Sequence, residues 1–153
     1  MSVPVAASDP VAWQGWSWIA RHPVAYPLLE VLHIVGIALL LGSLVLLELR
    51  VWGAARELPL RPLARLALPV TLGGFALVLA SGLLMFAAQP AELLSNRAFV
   101  LKLGLVHLAG LNAAWFHARG GLDKADRLAR AQTVVSSGLW LGVIICGRWI
   151  AYA

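Results

Sequence analysis

The sequence predicts an all-α, polytopic membrane protein: an up-down bundle of four transmembrane helices preceded by a short interfacial segment. Three observations carry this. Hydrophobic residues make up 61% of the 153 and charged residues only 12%, against about 45–50% and about 25% in ordinary globular chains. The mean hydropathy is +0.83, more than a chain this small can bury inside itself, so lipid has to act as solvent. The apolar residues form four continuous runs of about 20, the length a helix needs to cross roughly 30 Å of hydrocarbon. They do not alternate as barrel strands do, and in lipid a helix is then the remaining way to satisfy the backbone.

The whole chain, 1–153, reads as a single membrane domain with spans at about 26–49, 66–88, 98–118 and 131–152. Residues 10–21, PVAWQGWSWIAR, are too short to span; Trp13, Trp16 and Trp18 suit a segment lying along the interface, or a lid over that end of the bundle. The first ten residues lack the basic and apolar regions of a cleavable signal and are expected to remain in the mature chain. Gly53 and Pro59 mark the first connection, Gln89-Pro90 ends the second span, and Ser95-Asn96 offers a helix cap for the third. Gly120-Gly121 ends the third, and DKADRLARA reads as a charged extension of the fourth.

The net charge of +5 does not point to nucleic acid, because the basic residues cluster between spans and no basic stripe is interleaved with aromatics. Arg50, Arg56, Arg61 and Arg65 flank the first connection, and Arg119, Lys124, Arg127 and Arg130 the third, eight of the twelve Lys and Arg. The remaining four, Arg21, Arg97, Lys102 and Arg148, belong to the other side. The positive-inside rule then puts both termini on the periplasmic face of a bacterial inner membrane. Tyr26, Trp149 and Tyr152 mark one interface, Trp52 and Trp115 the other. A single cysteine, Cys146, excludes an internal disulfide and a CxxC site.

Ionisable groups inside a span each require a reason. Glu30, His33, Lys102, His107 and Arg148 are such groups here. His33 and His107 stand roughly 10 and 14 Å below the same interface, at about 1.5 Å per residue, on spans that are diagonal in an up-down bundle. Two imidazoles at one level suit the axial positions of a haem b, each giving a neutral nitrogen to iron. Gly36, Gly104 and Gly110 keep helix backbones small around the pair, and Lys102 and Arg148 lie on the outer side, where propionates would want cations. A six-coordinate iron of this kind carries single electrons, with a quinone or a periplasmic redox protein as exchange partner, and excludes carbon monoxide. Copper is the alternative metal, since Met85 and Cys146 fall near the histidine level. The third reading is a structural membrane subunit in which Glu30 pairs with Lys102 or Arg148. Glycine-lined faces would allow a homodimer in any of the three. His22 and His117 read as surface or headgroup residues, and Glu48 with Arg50 as a boundary pair at the inner end of the first span or, more simply, as an arginine snorkelled to the cytoplasmic interface.

The stretches LHIVGIALLLGSLVLLELRVWG (32–53) and KLGLVHLAGLNAAWFH (102–117) resemble a family of small bacterial integral-membrane proteins similar to the copper-resistance D-type membrane domain and the HemJ-type protoporphyrinogen oxidase. His33, Gly42 and Arg50 match the histidine, glycine and arginine of the HemJ-like first span, and Lys102 and His117 match the lysine and distal histidine of a later one. ELR stands where that pattern has a proline-arginine-leucine turn, and His107 is additional. The resemblance implies a helical bundle handling haem b, a porphyrin or copper.

Overall fold

The structure, a computed structural model, describes residues 15–152. Among these, every regular element is helical. A short helix α1 (Trp18–Arg21) is followed by α2 (Ala25–Trp52), α3 (Leu60–Ala88), the connecting α4 (Pro90–Ser95), α5 (Arg97–Ala118), the single turn α6 (Gly121–Lys124) and α7 (Arg127–Trp149), which closes in a 3-10 turn, Ile150–Tyr152. Four helices, α2, α3, α5 and α7 with its closing turn, are long and apolar enough to cross a membrane, making this a multi-pass membrane protein. Their outward faces are apolar: Leu66 is 71% exposed and Leu111 67%, as a lipid-bathed surface requires. Residues 10–14 of the expected interfacial segment lie outside the described residues; Trp16 and Trp18 are exposed, while Ile19 is buried where α1 packs against α2 and α3.

Helix ends follow local chemistry. The Asn96 side chain accepts hydrogen bonds from the backbone N–H of Ala98 and Phe99 and starts α5. The Asp126 carboxylate accepts from Ala129 and starts α7. Gly53 ends α2 at φ 104°, a left-handed conformation that favours glycine. Arg50 then donates to the carbonyls of Leu58 (2.6 Å) and Arg56 (3.2 Å), holding the connection to α3.

Two helices begin earlier than their apolar runs. α3 starts at Leu60 because Pro62 falls in the first turn, where a missing N–H costs nothing. α7 starts at Arg127 because Asp126 caps it there. Ala25, Ala88, Arg97 and Trp149 lie at one end, called the terminal end below. Trp52, Leu60, Ala118 and Arg127 lie at the opposite, basic end.

The bundle consists of two tight hairpins. α2 and α3 cross where two glycines let the backbones touch: a Cβ on Gly74 would stand 2.6 Å from the Leu40 nitrogen and 2.8 Å from the Gly36 carbonyl oxygen. Leu40, 2% exposed, seals the crossing. One turn on, Ser43 and Thr71 hydroxyls meet at 2.7 Å. α5 and α7 pack through Leu105 over Gly142 and through Asn112, whose Nδ2 donates to the Gln132 carbonyl at 2.9 Å. The hairpins meet along α2 and α7; contact between α3 and α5 is slight and includes the Phe86–Phe99 stack, with ring centroids 5.8 Å apart.

Candidate functional site

The seam between the hairpins is polar at two levels. At the terminal level, His33 of α2 turns inward and its Nδ1 lies 2.9 Å from Ser81 Oγ on α3. Ser81 donates its only hydroxyl proton to the Leu77 carbonyl at 2.7 Å, so at His33 its oxygen serves as acceptor. The Val78 carbonyl, which can only accept, also faces the His33 ring. Nδ1 is therefore the donor to Ser81. Gly82 makes room for the ring: a Cβ there would lie 3.3 Å from His33 Cε1. On the other wall, Lys102 packs beside Gly147 and Cys146, close enough for its charge to act on His33.

His107 does not join this cluster. Lys102, Leu105, Ala109, Asn112 and Phe116 form the face of α5 that contacts α7 or is buried. Five residues on from Lys102, His107 is rotated by about 140°. It is exposed, and its Nδ1–H donates to the Leu103 carbonyl of its own helix at 2.8 Å. The structure does not bring the side chains of His33 and His107 together: equal depth does not do so when helix faces diverge. Gly104 and Gly110 face open space, whereas Gly36 is used up in the α2–α3 crossing. Arg148 is exposed and turns to the Tyr152 ring and hydroxyl. Of the expected cofactor residues, His33 and Lys102 share the seam.

Glu30 is exposed and pairs with neither Lys102 nor Arg148; the ion pairs among the described residues are Arg61–Asp123 and Arg119–Asp126. The described residues contain no cluster of three or more His, Cys, Asp or Glu side chains.

At the basic level the structure departs most from the sequence reading. Glu48 makes no boundary pair with Arg50; it is 3% exposed and faces α7. Ser137 donates to its Oε2 at 2.5 Å, and Ser136 lines the same small cavity. Nearby, Trp52 Nε1 donates to Thr133 Oγ1 at 2.7 Å, tying the same two helices. Gln132 is buried with its Oε1 accepting from Arg119 Nε at 2.6 Å. Arg119 also reaches Asp126 through both terminal nitrogens, at 2.9 and 3.2 Å. Those hydrogen bonds, with the Ala129 N–H, hold the Asp126 carboxyl down at about 2.

A cavity of about 60 Å³ lies among Glu48, Asn112, His117, Gln132, Thr133 and Ser136. An open groove of about 460 Å³, lined by Arg61, Arg65, His117 and Asp123 among others, adjoins it at the basic end. The buried acid was visible in the sequence as an ionisable residue inside a span, but its position next to Arg50 disguised it. Compared with protein-family models, curated proteins and solved structures, the chain matches none of them.

Proposed function

We propose that the protein is a membrane redox carrier that holds a haem b in the terminal half of the seam, with His33 as the ligand this chain gives to iron. The observation that supports it is the 2.9 Å hydrogen bond by which Ser81 holds the inward-turned His33 at Nδ1, the fixed second hydrogen bond that a metal-ligating histidine uses. Haem supplies one-electron oxidation and reduction. The chain's own residues do the rest. Gly82 leaves room for the His33 ring and Gly147 for the Lys102 side chain, and Lys102 offers a cation to a propionate. The seam is also where the bundle parts with least loss, because each hairpin is tight within itself.

The basic end faces the cytoplasm in this reading, by the excess of Lys and Arg there, and the redox centre lies toward the periplasm. A lipid-soluble quinone or a periplasmic redox protein would exchange electrons with it. Since His107 points away, one histidine holds the iron. Purified protein is expected to show a Soret band that sharpens with dithionite, and the reduced form to bind carbon monoxide. A colourless protein from haem-replete cells would refute the proposal. A reduced spectrum indifferent to carbon monoxide would refute the single-histidine form.

A further inference from the structure

We propose that Glu48 is a proton-loading site, reached from the basic end through His117 and the internal cavity. Glu48 is 97% removed from solvent, and while Ser137 holds Oε2 of its carboxyl, Oε1 is buried without a partner. Across the same cavity, Gln132 Nε2 is buried without a partner too. One is an acceptor and the other a donor. A water molecule between them satisfies both, and a cavity of about 60 Å³ holds several waters at roughly 10–15 Å³ each. Ionisable groups buried in a span mark proton relays when water reaches them.

Water has a route. His117 lines the cavity and also the open groove at the basic end, as do Leu68 and Leu122. The imidazole is exposed and stands edge-on to Phe116, ring centroids 5.3 Å apart. It is the one titratable side chain, besides Glu48, that lines the cavity. The other charged groups around Glu48 are paired elsewhere or face the open groove. On α2, Arg50 holds the carbonyls of Leu58 and Arg56. On α3, Arg61 pairs with Asp123 of α6, while Arg65 lines the groove. At the end of α5, Arg119 is bound to Gln132 and Asp126. Packed against Glu48 from α7 are hydroxyls and an amide, with no second charge.

In the transfer, a proton leaves the His117 imidazolium, crosses the cavity water, and forms an O–H bond at Glu48 Oε1. The imidazole becomes neutral, the carboxylate becomes a carboxylic acid, and the total charge is unchanged. This centre is distinct from His33 and its readout is a carboxyl vibration, which does not depend on haem.

The test is infrared difference spectroscopy of the full chain in lipid nanodiscs, titrated in pH and then moved into deuterated buffer. The expected result is a protonated-carboxyl band that titrates and downshifts in deuterium. It should vanish in Glu48→Gln and move in frequency in Glu48→Asp, which keeps a carboxyl if the glutamine variant does not fold. His117→Leu should retain the band and slow its deuterium shift about tenfold or more. A band unchanged in both Glu48 variants, the absence of any titrating band, or deuteration as fast in His117→Leu as in the parent, would overturn the proposal.

Discussion

Replacing Gly74 by leucine is expected to destabilise the protein by about 3 kcal/mol, the upper range for forcing bulk into a packed interface. The reason is what the added carbon meets. Its Cβ would fall 2.6 Å from the Leu40 nitrogen and 2.8 Å from the Gly36 carbonyl oxygen, backbone atoms of a helix that cannot turn aside as a side chain can. α2 and α3 must then separate. Two interhelical contacts go with the crossing, Ser43–Thr71 at 2.7 Å and His33–Ser81 at 2.9 Å, each worth about 0.6 kcal/mol in a bilayer. Lipid covers the exposed leucines as well as protein did, so the loss comes from packing and hydrogen bonds and not from hydration. Gly73 is the control, since nothing lies within 4 Å of its Cβ position. Gly73→Leu should unfold in detergent almost as the parent does, and Gly74→Leu well before it. Equal midpoints would contradict the crossing.

Arg119→Ala carries the second large effect. Arg119 is only 13% exposed at its side chain and joins the end of α5 to the start of α7. Without it, Gln132 Oε1 loses its 2.6 Å donor and becomes a buried acceptor with no partner. That costs about 2 kcal/mol. Asp126 loses its partner at the same time. Its folded pKa of about 2 lies below the ordinary 3.8, so the pair adds stability above about pH 4 and that increment disappears as pH falls toward 2. The gap between the unfolding midpoints of Arg119→Ala and the parent should narrow as the pH drops through that window, leaving the pH-independent share from Gln132. A constant gap would mean that Asp126 and Arg119 are not linked in this way.

The spans were legible because hydropathy is a sum over a window and tolerates local error. Asn96 announced the start of α5 by its side-chain chemistry, and Gly53 the end of α2 by its conformation. Windowed hydropathy is blind to polar first turns, which is why α3 and α7 begin at Leu60 and Arg127 and not at the first apolar residue. The site was half legible. Depth along the membrane normal follows from residue number, and it placed His33 and Lys102 correctly near one end. Rotation about the helix axis does not follow from depth. His107 sits at the right level on the wrong face of α5. The period of Lys102, Leu105, Ala109, Asn112 and Phe116 already contained that information, since polar and small residues recur there at helical spacing. Glu48 was hidden by its neighbour: two residues from Arg50 it reads as an interfacial pair, yet two residues on a helix turn side chains about 160° apart. The Ser137 hydroxyl that receives it lies on a span remote in sequence.

If His33, and not His107, holds the haem, then haem content per chain, measured on the purified parent, His33→Ala and His107→Ala, will separate the two histidines. Equimolar haem is expected in the parent and in His107→Ala, and none in His33→Ala. Loss of haem from His107→Ala, or its retention in His33→Ala, would contradict that assignment.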